Sequence, residues 1–187
     1  MARLANTDQR YGAVAMALHW IMAALIVALV ALGLYMVTLP DVGFDTKKIT
    51  LILYHKELGM AALALAALRL GWRLGNPLPR LVERLPEWQK VAARFVHLGF
   101  YALMLALPIT GWVMSSAAGI PVTFLGRFNL PDLVAENDYL FHLFIEIHKW
   151  LGYVLIAFLC IHIGAALRHH FVQKDDTLRK MLPGVHP

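Results

Sequence analysis

His148 and His162 close the two ends of an almost wholly apolar stretch, HKWLGYVLIAFLCIH, and the next charge after it is Arg168. If the stretch is helical, the step from one histidine to the other leaves them about 40° apart in azimuth and about 21 Å apart along the axis. They share one face at two depths. Neutral imidazole is a common metal ligand, so one helix of this kind can give one ligand to each of two stacked metal centres. A short echo strengthens the pattern: HKWLG at 148–152 repeats as HKELG at 55–59, and another histidine, His19, sits in LHW at 18–20.

Elements long enough to carry such groups are easily found. Of 187 residues, 59% are hydrophobic and only 16% are charged, which is too apolar for an ordinary soluble domain. Four apolar stretches, roughly residues 17–39, 49–72, 95–118 and 140–167, each reach about the 20 residues that cross a bilayer core. Backbone groups in lipid must be satisfied internally, so the spans are predicted to be helices. The expectation is an all-α integral membrane four-helix bundle, a single transmembrane domain over 1–187. The first span is too long for the apolar core of a signal peptide and lacks a small-residue cleavage site, so it is expected to stay.

Most of the 17 basic residues lie in the N-terminal segment, between spans two and three, and in the C-terminal tail. With four spans those regions share a side, so both termini are predicted to be cytoplasmic. The net charge of +5 reflects that asymmetry and is no sign of nucleic-acid binding. Within the connections, Asn129-Leu-Pro131-Asp132 reads as an early start for helix four, and the tail KDDTLRKMLP as a short amphipathic helix from Asp175 or Asp176. Pro108 predicts a kink in span three.

The chain has nine histidines. His169, His170 and His186 fall at or beyond the cytoplasmic end of span four and read as solvated or headgroup-facing. The others, at membrane depth, are costly unless they face the bundle interior. Depth pairs His19 with His162 on the cytoplasmic side and His55 with His148 on the outer side. A haem disc lies against the helix that ligates it, so a small residue four positions on leaves room. His19 is followed by Ala23, His55 by Gly59, His148 by Gly152 and His162 by Ala166, whereas His97 is followed by Tyr101 and His142 by Glu146. The selected axial ligands are therefore His19, His55, His148 and His162. His97 reads as a packing or supporting residue. With one cysteine, Cys160, and no C-x-x-C-H motif, a haem would be held by coordination and packing alone. Zinc fits less well, since each depth offers two good histidines rather than three or four ligands.

At these residues the chain resembles the bacterial cytochrome b561 family, four-helix membrane proteins with two haem b groups. The resemblance rests on LHW at 18–20, HKELG with Arg69 and Arg73 downstream, LPITGW at 107–112, the His148/His162 pair, and RHHF with the KDDTLRKMLP tail. It covers nearly the whole chain, and the family's ligand positions fall on the same four histidines. It implies a bacterial inner-membrane electron carrier linking an outer-side donor to the quinone pool. Some members are described as superoxide oxidases, passing an electron from superoxide to ubiquinone, and that activity is implied by the resemblance alone. Two rival readings stand beside it: the cytochrome b anchor and electron acceptor of a dehydrogenase or hydrogenase complex, docked to a redox partner protein, and a non-haem metal-handling transporter. Arg69, Arg73 and Arg168 are candidates to pair with inner-haem carboxylates, and Lys56 and Lys149, beside the outer ligands, to attract an anionic donor.

Overall fold

The computed structural model describes residues 3–40, 46–79, 86–124, 126–182 and 184. It contains four long helices: α1 (Ala13–Met36), α2 (Thr46–Leu74), α3 (Glu87–Ala117) and α4 (Asp138–Arg168). Each is long and apolar enough to cross a membrane. They pack as sequence neighbours, α1 on α2, α2 on α3 and α3 on α4. The bundle has a terminal end, where the described segments before α1 and after α4 lie, and a hairpin end, named for the α3–α4 connection.

The core is small and sits at mid-depth. Met22, Ile26, Ala66, Leu103, Met104 and Leu155 are buried together, with Phe100, Phe158 and Leu159 packed around them. Close approach of α3 and α4 depends on Gly99, where a Cβ would land in the ring of Phe158. Large side chains such as Ile21, Val27, Leu68, Phe95, Leu98 and Ile161 stay exposed on the outside, as a helix facing lipid requires. The hydrophobic effect therefore acts mainly between the bundle and the bilayer, and mid-depth packing holds the helices to one another.

The helix ends have identifiable causes. Helix α4 starts at Asp138 because the Asn137 side chain accepts from the Leu140 amide at 2.9 Å, satisfying one of the first free N–H groups. The predicted earlier start at Asn129 is corrected. Asn129 instead pairs with Thr123 in a two-residue hairpin, β1 (Thr123–Phe124) against β2 (Phe128–Asn129). Helix α3 runs through Pro108 and ends in a Schellman turn: Gly119, at φ 66°, and Ile120 return hydrogen bonds to the Ser116 and Ser115 carbonyls.

The tail is also corrected. No amphipathic helix begins at Asp175 or Asp176. After α4 comes a π-helical turn, His169–Gln173, then Lys174 in the left-handed region, then one 3₁₀ turn, Arg179–Met181. Asp175 folds back onto the His169 ring at 2.5 Å and accepts from the Thr177 amide. Using the carboxylate this way turns the chain under the bundle, where the Trp20 indole donates to the Met181 carbonyl at 2.8 Å. Burial alone would raise the Asp175 carboxyl, but the hydrogen bonds from Thr177 and His169 outweigh it and hold it below the ordinary carboxylate value. The fold-back is thus stabilised above that range and loses this support as pH falls through it. Asp175→Asn should open the tail by about 1 kcal/mol, or about fivefold in the open population. Trypsin cleavage of the detergent-solubilised protein after Lys174, Arg179 or Lys180 should speed up accordingly, while an unchanged cleavage rate would show that Asp175 is not the anchor.

Candidate functional site

Two histidine pairs stand at two levels of the bundle. At the terminal end, α1 and α4 bring His19 and His162 to 6.2 Å between ring centres, with 66° between planes. At the hairpin end, α2 and α4 bring His55 and His148 to the same 6.2 Å, at 75°. That spacing has a chemical meaning. An imidazole nitrogen binds a first-row metal at about 2.0 Å and lies about 1.2 Å from its ring centre, so two rings on opposite sides of one ion stand about 6.4 Å apart. Both pairs leave a gap that matches one metal ion.

At the hairpin end the surroundings are polar on one side and open on the other. His148 Nδ1 lies 3.0 Å from the Thr110 hydroxyl, which donates to the Leu107 carbonyl at 2.8 Å. His55 Nδ1 is buried and has no protein partner. A Cβ added at Gly59 or Gly152 would meet nothing within 4 Å, so the room expected beside these two ligands is present. Clearance also comes from helices across the bundle. A Cβ at Gly33 would stand 3.4 Å from His55 Cε1, and one at Gly111 would stand 3.3 Å from His148 Cε1. Sequence reasoning did not place Gly33, Thr110 or Gly111 in this site. The only signal for the last two was their position in LPITGW, which reads as a kink as readily as a support.

The terminal end holds a cavity of about 430 Å³. His19, His97 and His162 line it, as do the three arginines singled out from the sequence, Arg69, Arg73 and Arg168, together with Lys180 from the folded-back tail. Arg69 Nη2 approaches His19 Nδ1 at 3.0 Å, and both Arg69 and Arg73 lie over the Tyr101 ring. An apolar slot flanked by two imidazoles and several cations suits a flat, dianionic macrocycle with an iron centre. Two buried polar atoms in the same lining, Trp72 Nε1 and Gln89 Oε1, have no protein partner.

His97 lies inside this site rather than apart from it. Its ring centre is 5.5 Å from that of His162, short of the spacing for rings on opposite sides of an ion. Tyr101 lies under the two arginines and shares the cavity wall. His142 packs on Phe141, and His169 is taken up by Asp175. His186 lies outside the described residues. Lys56 bonds the Pro121 carbonyl at 3.1 Å and Lys149 bonds Glu146 at 2.6 Å. Both therefore hold protein groups, which weakens the expectation that they steer an anion. No cluster of three or more His, Cys, Asp or Glu side chains suited to a metal ion occurs among the described residues, so the donor sets are pairs.

The chain is similar over most of its length to known proteins. A family model described as prokaryotic cytochrome b561 matches residues 10–184. The chain is 35% identical over 178 residues to "Cytochrome b561 homolog 2" of Escherichia coli (strain K12), covering 95% of this chain and 93% of that protein. It is 42% identical over 108 residues to "Cytochrome b561 homolog 1" of the same organism, covering 56% and 59%. To "Probable superoxide oxidase CybB" of Yersinia pestis it is 26% identical over 175 residues, covering 94% and 97%.

The open space beside Gly152 yields a direct prediction. Gly152→Leu should leave the four-helix fold intact, because no protein atom stands in the way, yet intrude where a disc would pack at about 1–3 kcal/mol. Haem retained by the purified variant should fall towards half of wild type. Full retention would show that the space beside Gly152 is not the haem's.

Proposed function

Because the chain belongs to the prokaryotic cytochrome b561 family, and is thus a multi-pass membrane electron-transfer protein, we propose that it is a single-domain carrier of two b haems. In this reading His19 and His162 are the axial ligands of one haem, and His55 and His148 those of the other. The observation that supports it most is the common 6.2 Å separation of the two pairs. The two-haem count, the ligand set, the bacterial inner-membrane location and the cytoplasmic termini belong to this proposal. The orientation is supported by the excess of lysine and arginine at the terminal end. The family displaces the transporter reading, since a haem b protein needs no three-ligand site.

A bound haem supplies a one-electron ferric/ferrous couple, and the protein supplies its position and surroundings. Helix α4 holds one ligand at each level, so its length sets the separation of the two sites. Met22, Leu103, Met104 and Leu155 fill the depth between them and keep water out of the path. Arg69, Arg73 and Arg168 would neutralise carboxylates at the inner site, where lipid offers no counter-charge. The proposed donor is superoxide on the outer side, and its main support is the likeness to a probable superoxide oxidase. The proposed acceptor is ubiquinone. Trp72 Nε1 and Gln89 Oε1, a donor and an acceptor in need of partners at the inner cavity, favour a ligand with oxygen functions arriving from the bilayer. The reaction balances when two superoxide anions each lose one electron and leave as dioxygen. One quinone then takes two electrons and two protons to become the quinol.

A haem assay with a reduced-minus-oxidised spectrum tests the ligand set. Wild type should hold about two b haems per chain, following the two-pair geometry. His148→Ala and His162→Ala should each keep about one, at opposite levels, with the other pair intact. His97→Ala should keep both. Loss of a haem in His97→Ala, with both kept in His19→Ala, would move the inner ligand from helix α1 to helix α3.

A further inference from the structure

We propose that Thr110 is a positioning residue for the outer haem, acting through His148, and that Gly111 gives it the clearance to do so. The inference rests on the reading of His148 as an axial ligand. Thr110 is 8% exposed, about two turns before the end of α3. Its single hydroxyl proton is committed to the Leu107 carbonyl at 2.8 Å, because a carbonyl can only accept. The hydroxyl lone pairs are then what face His148 Nδ1 at 3.0 Å. Nδ1 must therefore carry a proton and donate it. With the proton on Nδ1, the lone pair of the neutral imidazole is on Nε2, the nitrogen left free to ligate.

The backbone makes this contact possible. Thr110 bonds the carbonyl three residues before it, an option open to threonine inside helices. Gly111 then brings α3 up to the ring. A Cβ there would stand 3.3 Å from His148 Cε1 and 3.6 Å from Nδ1, tight enough to push the imidazole off the hydroxyl. Thr110 and Gly111 thus serve one histidine in the next helix.

Among the four proposed ligands His148 alone has a neutral hydroxyl on its Nδ1. His55 Nδ1 has no protein partner, and His19 Nδ1 faces the Arg69 cation. A hydrogen-bond acceptor behind a ligating imidazole fixes its orientation and raises its basicity. More electron density at the iron favours the ferric state. Thr110 therefore lowers the midpoint potential of the outer haem and leaves the inner one alone.

The test compares haem-loaded wild type, Thr110→Val and Thr110→Ser by haem content and by redox titration of the two components, with His148→Ala run alongside. Thr110→Val keeps the shape and removes the hydroxyl, so one component should move to higher potential and the other stay. Thr110→Ser should return the wild-type value. Loss of one haem in Thr110→Val but not in Thr110→Ser would support the same role. Two unchanged potentials in Thr110→Val, or Thr110→Ser altered as much as Thr110→Val, would overturn it, since size rather than the hydroxyl would then matter. If His148→Ala keeps both haems, the ligand reading itself fails. If His148→Ala loses one haem while Thr110→Val behaves as wild type, only the role of Thr110 fails.

Discussion

A polar ring at bilayer depth has no water to bond, and this constraint organises the molecule. Each imidazole placed among the helices has to find a partner in the protein or a bound group. His169 finds a carboxylate in the tail. His19, His55, His148 and His162 stand in two pairs across gaps suited to a metal ion between two ligands. Spans, loops and tail can be understood as the scaffold that holds those gaps open. Helix α4 spans both levels, and α1 and α2 supply one partner each. Helix α3 carries no proposed ligand and instead supplies supports: the His97 ring, the Thr110 hydroxyl, and the bare backbone of Gly99 and Gly111.

The two levels differ in the charge around them. The terminal-end cavity is lined by Arg69, Arg73, Arg168 and Lys180. The hairpin-end pair has a threonine hydroxyl and backbone oxygens close by, with Lys149 engaged by Glu146. Positive charge stabilises the reduced, less positive iron, so the proposed inner haem sits in surroundings that favour the electron more. That gradient runs from the outer donor side to the inner side, in keeping with the proposed direction of transfer.

Much of this was legible in the chain, because membrane helices leave a strong composition signal and ligands must recur at fixed helical spacing. Four long helices cover the four apolar stretches, with α3 starting at Glu87, eight residues before the expected limit of 95. The 148/162 spacing indicated two levels before any fold was known, and the structure brings those residues opposite His55 and His19. The features that were not legible depend on contacts between helices. Gly33 and Gly111 provide clearance for rings on other helices, so no repeat along their own helix marks them. Tyr101 was expected to leave no room for a disc beside His97, and its ring lies beneath two arginines. The tail failed as a helix because Asp175, a plausible cap by type, bonds back to His169.

Electron paramagnetic resonance of the fully oxidised, purified protein tests the central claim most directly, because it reports the axial ligation of each iron. Two nitrogen ligands on every iron predict two low-spin ferric species per chain, with no high-spin component. A high-spin signal accounting for either haem would contradict the account, since it would mean that one of the two histidine pairs does not close on its iron.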